Sequence, residues 1–446
     1  MINDLRTFVD ALRAAGQLAD IRKEVSLEQE IGSVLATLEK KGGPAAFFHK
    51  VKGHTRPVTG GLLSDHAKIA IAMECPVTEI AERLERALER PIPPVEVTKA
   101  ACQEVVIRGD NLDLSAIPIP IHAPGDGGPF ITAGVTVGRD PETGVQNLSY
   151  QRMHIKKKDR MGIMINEWRH MREFLNKAEA VDKPLPVAVA IGLDPVLMIA
   201  AGFRYEGDET DIAGSLRGRP IETVKCVSCD IRVPAHAEYV IEGEILPGVR
   251  EEEGPLAEFT GHYGLLWKSP VFVVKAITHR KDPIWQTLNG GSFEHINLGN
   301  VLPREPLLKK FTRYVSKNVT DVHIPPYGSG FLAIIQLKKS NEGEPKNVAM
   351  AAMTTYVNIK NVIVVDTDVD IHTPSDVWWA VSNRVNPRED IFTIPNAQGH
   401  ELDPCSDEHG VQNKMGIDAT LPANRKALKR VFYPSVDLAP YLASSE

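Results

Sequence analysis

Cysteine is scarce in this chain, five in 446 residues. That is too few for a disulfide framework, so reduced thiols and a cytoplasmic location are the expectation. Basic residues do not outnumber acidic ones. Lys+Arg 51 against Asp+Glu 58 leaves −7, which excludes the electrostatic footprint of a generic nucleic-acid binder. No apolar run is long enough for a membrane span, because the longest, Pro186 to Phe203, is broken by Asp194-Pro195. The opening Met1-Ile-Asn-Asp-Leu-Arg lacks the apolar core of a signal peptide. Internal repeats of roughly 20–50 residues are missing, as are low-complexity tracts. What is present is ordinary globular composition, 43% hydrophobic and 24% charged. At ~150 residues per domain this length implies about three domains, or two larger ones.

Residues 1–95 read as an N-terminal α/β unit. Leu5, Phe8 and Leu12 follow helical spacing and stop at Gly16. Ser26 is expected to open a second helix, with Gln29 completing a capping box and Gly42-Gly43 ending it. A strand over 45–51 and a helix over 78–89 follow, and Pro91-Ile-Pro-Pro94 sets a boundary. Residues 96–302 are strand-rich. Strands over 131–137 and 147–155 flank the turn-like Asp140-Pro-Glu-Thr-Gly144, and others fall near 186–192, 222–227, 239–245, 270–279 and 284–288. Helices near 167–177 and 209–216 interrupt them. Hairpin-joined strands predict an antiparallel, barrel-like domain. A linking helix (303–318) leads to a C-terminal α/β domain, 319–446, where strands at 331–337 and 361–365 alternate with helices at 345–356 and 374–385. The fold class is therefore multidomain, α+β and α/β.

Several motifs fail on inspection. Cys226-Val-Ser-Cys229 lacks a second Cys/His pair for zinc and lies beside a strand, not at a helix start, so it reads as structural. Asp366-Thr-Asp-Val-Asp370 imitates a calcium loop but has Ile371 where Gly is needed and Val377 where Glu is needed. Gly328-Ser-Gly330 with Ala333 outlines a dinucleotide fingerprint, yet a β-rich run follows it. His154-Ile-Lys-Lys-Lys-Asp-Arg160 reads as a solvated hairpin tip.

Three segments concentrate polar residues: Gln146-Asn-Leu-Ser-Tyr-Gln-Arg152, Trp168-Arg-His170 with Glu209 further on, and Arg250-Glu-Glu-Glu-Gly-Pro-Leu-Ala-Glu-Phe-Thr-Gly-His262. Glu253 and Glu258 flank Gly254-Pro255, which forbids regular helix and suits an exposed active-site turn. Two carboxylates beside an arginine have their pKa values pushed apart, as acid–base chemistry near neutral pH requires. An acidic surface turn beside an unrelated arginine would have the same spacing.

Together with Val224-Lys-Cys226, Val233-Pro-Ala235, Glu258-Phe-Thr-Gly261 and Lys414-Met-Gly-Ile-Asp-Ala-Thr420, these segments resemble the UbiD family of decarboxylases in order and spacing over nearly the whole chain. The resemblance implies a central split β-barrel that binds prenylated FMN, a C-terminal oligomerisation domain in a homo-oligomer (dimer or hexamer), and a flavin prenyltransferase as cofactor supplier. It implies that Asn147, His170 and Glu209 hold a divalent metal, Mn²⁺ or Mg²⁺, beside the cofactor phosphate, with K⁺ as a further ion. Lys414 corresponds to a lysine on that phosphate. Arg152, Glu253 and Glu258 correspond to the catalytic network, with Glu258 the proton donor. Divergence over 164–169 leaves His170 less secured than Asn147 or Glu209.

Direct decarboxylation of an aromatic acid leaves an unstabilised carbanion, so a cofactor must act as electron sink. The resemblance implies a covalent adduct with the prenylated flavin. In the region that lines the substrate pocket the chain offers His295, Asn300 and Arg304. It is similar there to the branch acting on small heteroaromatic acids, which implies reversible conversion of furan-2,5-dicarboxylate to 2-furoate. His295 and Arg304 would then be a cationic pair for the second carboxylate. Pyrrole-2-carboxylate and polyprenyl-hydroxybenzoate are the rival substrates, a non-catalytic flavin carrier the rival class.

Overall fold

The computed structural model describes residues 1–167, 169–425, 428–431, 433, 434, 436–438 and 441. Trp168 lies outside them. Two compact units result. The first comprises 1–308, 324–331 and 398–412; the second comprises 309–323, 332–397 and the residues from 413 onward.

The core of the first unit is a nine-stranded sheet. Its strand order is Phe130–Ile131, Met153–Lys157, Arg160–Ile163, Trp267–His279, Tyr239–Glu253, Leu185–Ile191, Val135–Arg139 and Gln146–Tyr150, with Val105–Arg108 also paired to Trp267–His279. The strand pairings are antiparallel. The sheet curls into a half-barrel, its two end strands unbonded to each other, as the hairpin-rich pattern predicts. The Asp140–Gly144 turn does join two paired strands: Asp140 N–H donates to Val145 O at 2.9 Å, and Gly144 takes φ +75.

One expected strand, 147–155, is two. Gln146–Tyr150 pairs with Val135–Arg139, whereas Met153–Lys157 pairs with Phe130–Ile131 and Arg160–Ile163. The chain changes partners across Gln151 and Arg152, and periodicity cannot reveal a change of partner. Arg152 stands at this break, its C=O still accepting from Met164 N–H at 3.1 Å.

Around the half-barrel sit three smaller groups. Leu18–Ile21, Ala45–Phe48, Val58–Gly60 and Trp285–Gln286 form a four-stranded sheet, so its last strand comes from more than two hundred residues further along the chain. The helix Leu5–Ala14 starts at Asp4, which accepts from Thr7 N–H at 2.9 Å, and buries Leu5, Phe8, Val9 and Leu12. The capping-box expectation at Ser26 is corrected. The helix begins at Glu30, after Gln29 at φ +64, and the contact runs in reverse: Ser26 N–H donates to the Glu30 carboxylate at 2.9 Å. A buried helix, His66–Met73, falls in a stretch without helical spacing strong enough to be read. A three-stranded sheet joins Arg232–Pro234, Glu222–Lys225 and Val95–Glu96.

The second unit has a five-stranded sheet in the order Val319–His323, Leu332–Leu337, Asn361–Asp366, Val411–Ala419, Ile391–Gln398. Helices Glu344–Thr355 and Pro374–Arg384 alternate with its strands as expected. The calcium-loop lookalike is an arginine clamp: Arg384 donates to Asp366 at 2.9 Å and to Asp368 at 2.6 Å. No described helix is long and apolar enough to cross a membrane.

The first helix is fastened to the half-barrel by charge. Glu238 is fully buried and accepts from Arg6 at 2.7 and 2.9 Å and from Ile284 N–H at 3.0 Å, with Arg280 at 3.4 Å. Removing one partner of a buried pair strands the others. Glu238→Ala should lower unfolding free energy by about 2–3 kcal/mol, read as a lower urea midpoint at unchanged slope. An unchanged midpoint would show that the clamp is energetically idle.

Candidate active site

Two long strands, Tyr239–Glu253 and Trp267–His279, pair down to Glu253↔Trp267 and deliver Glu253 to the end of the ladder. The chain then turns through Gly254, at φ +97, and a cis Gly254–Pro255 peptide to Glu258. Arg152, at the strand break, lies between the two carboxylates. Its Nη2 donates to Glu253 Oε2 at 2.8 Å and its Nη1 donates to Glu258 Oε1. Glu253 is fully buried and Glu258 is 8% exposed. Burial pushes the Glu258 carboxyl above the ordinary carboxylate range, an effect that Arg152 only partly offsets. The structure thus brings Arg152, Glu253 and Glu258 together.

A second cluster lies at the start of the Gln146–Tyr150 strand. Asn147 Nδ2 donates to Glu209 Oε1 at 2.8 Å and reaches His170 Nδ1 at 3.5 Å, and Leu148 N–H donates to Glu209 Oε2 at 2.6 Å. Glu209 opens the helix Glu209–Arg217 behind its cap Asp208, and His170 opens the helix His170–Ala180. Both helix starts therefore aim at one strand. Burial drives the Glu209 carboxyl well above its usual range. Ser149 Oγ donates to Asn147 Oδ1 at 3.1 Å and Gln151 Nε2 donates to Ser149 Oγ at 3.3 Å, a chain along one strand face.

The 289–304 segment is a short helix, Phe293–Ile296, running into a π-turn, Asn297–Val301. His295 Nδ1 accepts from Gly291 N–H at 3.1 Å, and its ring meets the edge of Phe259, next to Glu258, at 6.3 Å. Asn300 and Arg304 are both buried, the latter just before helix Glu305–Val315. The expected cationic pair is corrected here. Burial pushes His295 down to about 4, so at neutral pH its ring is uncharged. With Nδ1 accepting, the proton sits on Nε2, which is a donor. Lys414 belongs to the second unit, where its Nζ donates to Met353 O at 2.7 Å. Its assignment to a phosphate rests on the resemblance alone.

Sequence reasoning missed the cradle of the catalytic turn. Asp126 accepts from His122 N–H (3.1 Å) and Ala123 N–H (2.8 Å) through one oxygen and from Ala257 N–H (3.1 Å) through the other. Gly127 N–H donates to Pro255 O at 2.8 Å, and Gly254 N–H donates to His154 Nδ1 at 3.3 Å. The run Pro124-Gly-Asp-Gly-Gly128 was the available signal, since such a cluster of turn-formers in a strand-rich region marks close backbone approach.

With fold and geometry in hand, the comparisons are consistent. Three family models match in sequence: the N-terminal domain of 3-octaprenyl-4-hydroxybenzoate carboxy-lyase at residues 9–88, its Rift-related domain at 94–293 and its C-terminal domain at 298–419. A solved structure of the UbiD-class enzyme HmfF from Pelotomaculum thermopropionicum in complex with FMN is 41% identical, covering 98% of this chain and 100% of that one, with a TM-score of 0.94. The 3,4-dihydroxybenzoic acid decarboxylase of Enterobacter cloacae is 33% identical over 99% of each chain, TM-score 0.93. Anhydromevalonate phosphate decarboxylase of Methanothermobacter thermautotrophicus is 35% identical over 96% of this chain and 99% of its own. The half-barrel and its flanking layers therefore define a carboxy-lyase. The chain belongs to the UbiD family.

Gly264 tests the central cluster. A Cβ there would lie 2.9 Å from Arg152 Nη1 and 3.3 Å from Glu258 Cγ. Its φ is not in the left-handed region, so Ala suits the backbone. Gly264→Ala should keep its melting temperature within a few degrees yet lose roughly tenfold or more in kcat, because the Arg152–Glu258 contact must shift. Unchanged kcat would mean that the contact tolerates displacement.

Proposed function

We propose that this chain is a prenylated-FMN-dependent decarboxylase that removes CO₂ reversibly from a small heteroaromatic acid, converting furan-2,5-dicarboxylate to 2-furoate. The observation that carries the reading is the buried Glu253–Arg152–Glu258 cluster. The UbiD-class enzymes solved with FMN and with prFMN, 41% and 38% identical, support the flavin assignment. On this reading a flavin prenyltransferase supplies the cofactor.

The residues fit such a group. Arg152 Nε and Glu253 Oε1 are buried without a hydrogen-bond partner in the protein, so the cluster keeps bonding capacity for a ligand. At the other cluster an amide, an imidazole and a carboxylate form a donor set suited to Mn²⁺ or Mg²⁺, which would relieve the desolvation of Glu209. The Asn147 amide would turn to present Oδ1 to the ion.

When bound, the prenylated flavin supplies the electron sink for the carbon that loses CO₂. The chain's own residues do the rest. Arg152 presents a planar guanidinium that orients the reacting carboxylate. Glu258, whose pKa burial raises, gives its proton to the substrate carbon once CO₂ has left, and takes it back in the reverse direction. Glu253 holds the other edge of the guanidinium and fixes its plane. At the far end Arg304 and the Nε2–H of His295 would bind the second carboxylate, with Asn300 beside them.

Glu258→Gln should retain flavin and metal but lose roughly a hundredfold or more in turnover. In the parent enzyme kcat should fall on the alkaline side, because a donor with a raised pKa is lost as pH rises through that pKa. Near-normal turnover by the variant at matched cofactor content would remove Glu258 from the role.

Arg304→Ala separates the substrates. For furan-2,5-dicarboxylate, losing a charge-assisted contact should cost about 1.5–3 kcal/mol, roughly ten- to a hundredfold in kcat/KM. Pyrrole-2-carboxylate has no second carboxylate and should lose little. Equal losses would assign Arg304 to the helix start and overturn the diacid reading.

A further inference from the structure

Cys226-Val-Ser-Cys229 occupies the loop between the antiparallel strands Glu222–Lys225 and Arg232–Pro234. Cys226 N–H donates to Ile231 O at 2.8 Å and closes the turn. The two Sγ atoms and a carboxylate oxygen of Glu242 all lie within 4.8 Å of one another. Glu242 is fully buried on the long Tyr239–Glu253 strand. Its oxygens accept from Val227 N–H at 3.1 Å, Ser228 N–H at 2.7 Å and Ser228 Oγ at 2.8 Å. Those three donors occupy the carboxylate as a clamp on the turn, which holds the sulfurs side by side. They also argue against a metal centre, since a structural zinc site needs four free ligands and this one has two thiols and a committed carboxylate.

We propose that Cys226 and Cys229 are a redox-active dithiol, a modification site that exchanges with a small-molecule disulfide of the glutathione type and closes to a disulfide within the loop. The two sulfurs are unequal, as such exchange requires. Cys229 is half-buried and Cys226 buried. The contact between them lowers the pKa of the Cys229 thiol and, with burial, raises that of Cys226. Cys229, as thiolate, attacks one sulfur of oxidised glutathione; that S–S bond breaks and one glutathione thiolate leaves, taking a proton from water. Cys226 then releases its proton to solvent and attacks Cys229 Sγ, expelling the second glutathione thiolate. The cysteine pair gives up two electrons and two protons; the external disulfide becomes two thiols. The loop runs straight on to Arg232, whose N–H donates to Gln146 Oε1 at 2.8 Å and whose C=O accepts from Gln146 Nε2 at 3.2 Å, one residue from Asn147.

The test is thiol counting on the full-length protein with and without oxidised glutathione, followed by denaturation, alkylation and peptide mass spectrometry. Titratable thiols should fall from five to three, the peptide holding both cysteines should be lighter by two hydrogens, and dithiothreitol should restore it. Cys226→Ser should stop at one glutathione on Cys229. Five surviving thiols would overturn the proposal. So would loss confined to exposed Cys405, or a glutathione adduct that persists on Cys229 of the parent protein. Zinc bound one-to-one that blocks exchange until chelated would also overturn it and make this a metal site.

Discussion

One guanidinium between two buried carboxylates is the constraint on which the rest of this structure depends. Burying an arginine and two glutamates in one place is tolerable only if each charge is matched and each donor aimed. The fold provides the aim. The long Tyr239–Glu253 and Trp267–His279 strands fix Glu253 by ladder register. The partner change at Gln151 and Arg152 swings the guanidinium out of the sheet, and the Asp126 cradle seats the turn that carries Glu258. Glycines finish the fit, because Gly264 stands where any side chain would press on Arg152 and Glu258.

One short run of chain serves both ends of the site: Asn147 on the strand Gln146–Tyr150, Arg152 just past its end. Asn147 and Arg152 are five residues apart, and the side-chain chain of Asn147, Ser149 and Gln151 runs between them on one face. An extended chain reaches about 3.3 Å per residue, so backbone length caps the separation of the Asn147 and Arg152 Cα atoms at roughly 17 Å. On the proposed reading, the short run of chain from Asn147 to Arg152 sets where the reactive part of the cofactor meets the acid.

What was legible in the sequence and what was not follows from the range of the forces involved. The Leu5–Ala14 helix, the Asp140–Gly144 hairpin and the Glu209 helix start are written in local spacing and local caps, and the structure has them. Ser26 failed because a carboxylate four residues on competes for the same backbone groups, and Gln29 enters the left-handed region instead of capping. The Ile391–Gln398 and Val411–Ala419 strands went unread, since neither has clean alternation and no tight turn joins them. For the site, residue identities were legible through resemblance, but the cradle of Asp126 and His154 was not. These bonds join segments a hundred residues or more apart, through backbone groups that every residue possesses.

Charge bookkeeping then orders the events of the reaction. With both glutamates ionised, one arginine faces two negative charges, and a substrate carboxylate arriving there would make three. With Glu258 protonated the cluster is neutral, and the incoming carboxylate meets a guanidinium with bonding capacity to spare at Nε. Carboxylate binding and protonation of Glu258 therefore favour one another: each like charge brought near a buried carboxyl raises its pKa further. On the proposed reading, binding the substrate helps to load the acid that will protonate it. At the distal end the logic is the opposite. On the proposed reading a neutral His295 adds a directed donor without adding charge, and Arg304 is the cation that meets the second carboxylate. A diacid then brings a negative charge to both ends of the pocket, whereas a monoacid brings it to one. Discrimination on the proposed reading thus comes from the charge that a wrong substrate fails to bring.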